Sequence, residues 1–333
     1  MVHNVLAKKE RGRHHCLISH FLTITQSTDH QSKKKTQQQR HLFLFLPFFP
    51  LPTTFTEKPP NIMALKDTVH KTANVIVFIF FVAMTGYTLF SKDKIADLLD
   101  DYQTYFSPAR WFFLVWSAIH LLLLGFVAYQ WTESAHGAVI DGVGWMFIVS
   151  ALLNSMWFSL LENNHTILAF IISLFLVFSV SVIFYNLANE HPADGWMEKL
   201  FVHAPFSLWH GFTVFLAVLS AFIAFTRVRR NDLGQIVPPD VLHVILVYLA
   251  LIFLTATALG YVQYKHDRGD VTSAWVIAVS LWAVFDEQHF DVIRWPALAA
   301  AILSTIWPVK PYIYKMLGRR TTTSGQETAP LLA

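Results

Sequence analysis

From Ala73 onward the chain is a close succession of apolar runs, and their length restricts the fold more than any other feature. The runs are Ala73–Phe90, Trp111–Trp131, Val139–Leu161, Ile167–Leu187, Phe201–Phe225 and Val241–Val262. Each holds about 18–24 residues, which at 1.5 Å per residue matches a hydrocarbon core of about 30 Å. Two shorter runs, Thr272–Phe285 and Trp295–Trp307, come next, with only the acidic link "DEQHFD" between them. In lipid a spanning backbone must satisfy its own hydrogen bonds, so each run is expected to be a helix. The expected fold is all-α: a polytopic membrane helix bundle of about eight transmembrane helices, or seven if one of the last two is re-entrant. Aromatics stand at many run ends, among them Trp111, Trp131, Tyr185, Trp196, Tyr261 and Trp295. They fit the belt at the membrane–water interface. Pro205 and Pro296 are expected in first turns, where a missing N–H costs little.

Composition agrees. Of 333 residues 54% are hydrophobic and only 14% charged, against about 25% charged in soluble domains. A net charge of +3 gives no support to nucleic-acid binding. The single cysteine, Cys16, precedes the apolar runs, so the bundle contains no thiol for catalysis, disulfides or metal.

Residues 1–62 differ in character from the rest of the chain. They hold "KKKTQQQR", six of the 16 histidines, and the proline-broken run "HLFLFLPFFPLP", too short to span. They lack the order of a signal peptide. The expectation is a disordered or spurious N-terminal extension over 1–62, a helix bundle over 63–308 and a cytosolic tail over 309–333. The Lys and Arg bias between loops is slight, so orientation rests on the tail. There "ETAPLL" (Glu327, Leu331, Leu332) resembles the acidic dileucine signal that clathrin adaptors read on cytosolic tails, which implies an endosomal or vacuolar membrane. The sequon "NHT" at Asn164 lies too close to the membrane to favour glycosylation.

Several runs carry polar side chains at helical spacing. His203, Ser207, His210 and Thr213 share a face of the fifth run, with Trp209 beside them. Trp116 and His120 do so on the second, Ser150, Asn154 and Trp157 on the third, and Trp275, Trp282 and Asp286 on the seventh. Polar groups facing lipid lose hydrogen bonds, so these stripes turn inward. Such residues often only join helices, at about 0.6–2 kcal/mol per bond. Converging stripes would instead line a pocket in which rings give contact area and polar groups set orientation. That favours a binding or transport protein for a flat amphipathic ligand. A proton- or ion-coupled carrier using His120, His210 and Asp286 is the second class, and a purely structural protein the third. "GAVIDGVG" (Gly137–Gly144) lacks the strand–turn–helix setting of a nucleotide loop and is expected to be a close-packing helix start. "DEQHFD" is expected to be a solvated turn and not a cation site. No hydrolase motif such as HExxH or GxSxG occurs, so no enzyme, cofactor or metal is expected.

The segments "SPARWFFLVWSAIHLLLLGFVAYQW", "ALLNSMWF", "HAPFSLWHGF" and "LWAV" resemble elements of the tryptophan-rich sensory protein (translocator protein) family and its longer relatives, over about residues 73–307. The core family has five helices, His120 stands where Tyr is usual, and His210 where the relatives are apolar. The resemblance implies a helical membrane protein that binds tetrapyrroles, sterols or similar flat lipophiles. Residue by residue it implies Trp116, His120, Asn154, Trp157, Ser207 and Trp209 as ligand contacts, and His210 joins them through its stripe. The expected partners are therefore membrane lipids and a tetrapyrrole- or sterol-like ligand.

Overall fold

The computed structural model describes residues 60–90, 101–263 and 270–309. The expectations for residues 1–59 and for the tail from 310, including Glu327, Leu331 and Leu332, fall outside these. The described residues form eight long helices: α1 Pro60–Phe90, α2 Leu114–Tyr129, α3 Met146–Glu162, α4 Thr166–Asn189, α5 Ala204–Phe225, α6 Val241–Gln263, α7 Val271–Glu287 and α8 Asp291–Ile306. The described residues contain no strand, only two isolated bridges. The protein is thus an all-helical, multi-pass integral membrane protein. Among the described residues six helical segments are long and apolar enough to cross a membrane, while α3 is a shorter apolar helix of 17 residues. α7, also 17 residues, is set apart by its buried small residues Ala274, Ala278 and Ala283.

The helices meet through α5. It packs on α2, α4 and α7; α1 packs on α2 and α3, α3 on α4, and α6, α7 and α8 on one another. The α5 span is 67% buried within the protein, against 28–33% for the other five long spans. α5 is the axis, and the surrounding helices expose large apolar side chains such as Ile76, Leu121, Phe178 and Ile252, as a surface that faces lipid should. Where α5 meets α7, Gly211 removes the side chain that would keep them apart: a Cβ there would lie 2.6 Å from the carbonyl oxygen of Ser273. Small residues at such crossings are how membrane helices approach closely.

Several helix ends differ from expectation. α8 begins at Asp291, so Pro296 sits inside it and not in its first turn. The chain before α5 is already helical from Trp196, and Lys199–His203 forms a wide π-helical turn in which the Ala204 N–H reaches the Lys199 carbonyl, five residues back. Pro205 comes immediately after and has no N–H to continue the regular ladder. The Gly137–Gly144 stretch is a π-helical turn over Ala138–Val143 that ends at Gly144 with φ +53°. Gly142 touches Leu187 and His191 at the end of α4, the close packing expected there.

One end of the bundle is closed by residues 101–109. Tyr105 donates to the Val237 carbonyl (2.6 Å), Ala109 N–H to the Ala283 carbonyl (2.9 Å), and Gln288 Nε2 to the Ser107 carbonyl (3.0 Å). Phe106 stacks on Phe222 near the C-terminal end of α5. The Asn164 side chain accepts from Tyr102 at the same end.

Candidate functional site

Five of the seven expected contact residues come together where α1, α2, α3 and α5 meet. Trp116 is fully buried, with ring centroids of Phe158 and Phe212 each at 4.6 Å and Trp157 at 6.0 Å. Trp209 reaches into the same cluster from α5, and its indole N–H points at Asn154 Oδ1 (3.4 Å). Phe81 of α1 lies between Trp209 and His120: its ring is 5.4 Å from Trp209 at 23° and 4.6 Å from His120. Phe81 stands within the apolar run Ala73–Phe90, and nothing in its spacing marks it.

Hydrogen-bond partners divide the expected residues into two kinds. Trp157 is satisfied: its N–H donates to Ser220 (2.9 Å), which passes its proton to the Leu216 carbonyl. Ser150 donates to Ser179, which donates to Leu176. These side chains join helices. Trp116 Nε1, His120 Nε2 and Asn154 Nδ2 are buried atoms without a hydrogen-bond partner among the described residues. His120 Nδ1 lies 2.7 Å from the Trp116 carbonyl, which can only accept. Nδ1 therefore carries the proton and Nε2 is a bare acceptor. The aromatic cluster thus holds two unanswered donors and one unanswered acceptor. Each costs about 1–3 kcal/mol when buried away from water.

His210 belongs elsewhere. It comes directly after Trp209, so the two point about 100° apart around α5. It faces α4 and α6, where Nε2 is 2.8 Å from Ser181 Oγ and Nδ1 2.8 Å from the Tyr261 hydroxyl, with Phe184 stacked on the ring at 4.7 Å. Ser181 gives its proton to the Val177 carbonyl (2.7 Å), so His210 donates from Nε2 and accepts from Tyr261 at Nδ1. This is a complete chain across three helices. Tyr261, expected in the interfacial belt, is instead buried as its third member. The expectation that His120 and His210 face one space is corrected accordingly: His120 of α2 lies with Phe81 on the Trp209 side of α5, and His210 points to the side of α4 and α6. Asp286 is in a third place, accepting from Trp111 Nε1 at 2.9 Å.

A cavity of about 640 Å³ opens at the N-terminal end of α5, between α4, the lead-in to α5 and the start of α7. Of the expected contacts only Ser207 lines it, and His203 does so as well. The carbonyl of Ser207 lies 2.7 Å from Ser273 Oγ. Among the described residues no group of three His, Cys, Asp or Glu is placed to hold a metal ion.

A family model described as TSPO-like protein matches residues 68–309, well over half of the chain. No curated protein and no solved structure matches.

Proposed function

Because the chain belongs to the TSPO-like family, we propose that it is a non-catalytic membrane protein that binds a flat amphipathic ligand, of tetrapyrrole or sterol type, in the aromatic cluster between α1, α2, α3 and α5. The observation that carries this is the set of unanswered polar atoms on Trp116, His120 and Asn154. A structural joint pairs its polar groups, as Ser150, Trp157 and His210 do. A ligand site leaves them for the ligand. A hydroxyl or carboxyl at the edge of a ring system could accept from Trp116 and Asn154, and a hydroxyl or pyrrole N–H could donate to His120. Phe81 marks where the ligand's plane sits, because its ring already occupies the space between the His120 and Trp209 faces. Ligand entry then requires the Phe81 ring to leave. The scattered placement of His120, His210 and Asp286 favours this reading over a coupled carrier. The dileucine-like tail supports residence in an endosomal or vacuolar membrane and an encounter with a clathrin adaptor.

Titrating the purified protein in lipid nanodiscs with protoporphyrin and with a sterol, monitored by tryptophan fluorescence, tests the proposal. Trp116→Phe removes the indole N–H and keeps an aromatic ring, and Asn154→Leu removes the amide. Each should weaken binding by about 1–3 kcal/mol, the scale of a lost buried hydrogen bond. Phe81→Ala should do the opposite for binding. It should lower stability by about 2 kcal/mol or more through the cavity it leaves, yet tighten the ligand, which no longer has a ring to displace. Binding indifferent to all three substitutions would sink the assignment.

A further inference from the structure

We propose that the cavity at the N-terminal end of α5 is a second, separate binding site, and that it takes an amphipathic amine: a molecule with one protonated nitrogen on an apolar or aromatic body. Its volume of about 640 Å³ lies within the usual range for small-molecule sites, about 300–1,000 Å³. Its walls are chiefly apolar, with Phe184, Trp196 and Phe206 supplying aromatic surface.

The charges on that wall are unequal in kind. Asp270 is fixed. It caps α7, where its Oδ1 accepts from the N–H groups of Thr272 (2.8 Å) and Ser273 (3.4 Å) while Oδ2 lies 2.5 Å from Ser273 Oγ. It is half-buried and has no cation within ion-pair distance among the described residues. Lys199, the one cation among the described residues of the wall, is exposed. Its four-carbon stem lets the ammonium move out to water or lipid headgroups. The charge that stays in place is therefore the carboxylate. Aromatic faces beside a carboxylate attract an ammonium twice over, through the ring quadrupole and through Coulomb attraction. His203 is on the same wall, and its buried Nε2 has no hydrogen-bond partner among the described residues. Phe206 also reaches the aromatic cluster, its ring 6.4 Å from Trp209, but Asp270, Lys199 and His203 are not among the cluster's residues, so a test at Asp270 bears on this site alone.

The test uses the full chain in phosphatidylcholine nanodiscs, with empty nanodiscs to subtract partitioning. Three probes of equal length are compared at neutral pH by equilibrium dialysis: 4-phenylbutylamine, 4-phenylbutanol and 4-phenylbutanoate. The amine should bind about tenfold or more tighter than the alcohol, the scale of one charge-assisted contact, with the carboxylate weakest. Asp270→Asn removes the charge and keeps a good helix cap; it should erase the preference for the amine and leave alcohol binding unchanged. Three equal affinities would overturn the proposal, as would an amine preference that survives Asp270→Asn. So would a carboxylate that binds best and weakens in Lys199→Ala, since that marks an anion site. The ranking of the probes on the unmodified chain decides the matter even if the variant folds poorly.

Discussion

Gly211→Ala should lower the stability of the bundle by about 1–3 kcal/mol, the usual cost of forcing extra atoms into a packed interior. The added Cβ would lie 2.6 Å from the Ser273 carbonyl oxygen, 3.0 Å from its Cα and 3.2 Å from its carbonyl carbon. All three are backbone atoms of α7, so no side chain can rotate out of the way. α5 and α7 must separate, and separation also stretches the 2.7 Å contact from Ser273 Oγ to the Ser207 carbonyl. Ser273→Ala is the control: it keeps the close approach and loses only that hydroxyl, a change of about 0.6 kcal/mol on the scale of interhelical hydrogen bonds in membranes. Denaturation of both variants in the same detergent gives the comparison. Equal melting of Gly211→Ala and the parent would mean that α5 and α7 do not cross closely at this point.

The same crossing shows what the sequence could and could not reveal. The existence of each helix was legible, because bilayer thickness imposes a run length that composition displays directly. Trp111 and Trp131 bracket α2 at the expected distance, and both are exposed as interfacial residues should be. Helix ends were less legible. Pro296 lies within α8 because that helix recruits Asp291 from a link that looked like solvated turn. The candidate site was half legible. Spacing of three and four identifies which residues share a face, but it cannot say which helix lies against that face. Hence the stripes bring Trp116, His120, Asn154, Trp157 and Trp209 together, while His210 turns to α4 and α6. The places of Phe81, Tyr261 and Asp270 are not legible in the sequence, for one reason each. A Phe in an apolar run carries no signal. A Tyr near a helix end looks interfacial. An Asp before a short run looks like loop, although Asp270 with Thr272 and Ser273 just after it is a serviceable cap.

His120→Leu and His210→Leu should have opposite signatures, and the pair separates a ligand contact from a structural joint. His210 answers two partners on two other helices, Ser181 on α4 and Tyr261 on α6. Leucine in its place leaves the Tyr261 hydroxyl without its acceptor and Ser181 without its donor. Two interhelical bonds in a membrane protein amount to about 1–3 kcal/mol together, so thermal stability should fall by that much. Affinity for a porphyrin or sterol in the aromatic cluster should stay as it was, because His210 faces away from it. His120 answers only the Trp116 carbonyl of its own helix and keeps Nε2 buried and unused. Leucine there deletes an unsatisfied acceptor, so stability should hold or rise slightly. Ligand binding should weaken by about 1–3 kcal/mol, which is roughly 5- to 150-fold in the dissociation constant. Both quantities can be read from one preparation, by melting the protein with and without ligand. If His120→Leu destabilises the protein and leaves affinity intact, the unanswered nitrogen is not a ligand contact, and the polar stripe on α2 serves packing alone.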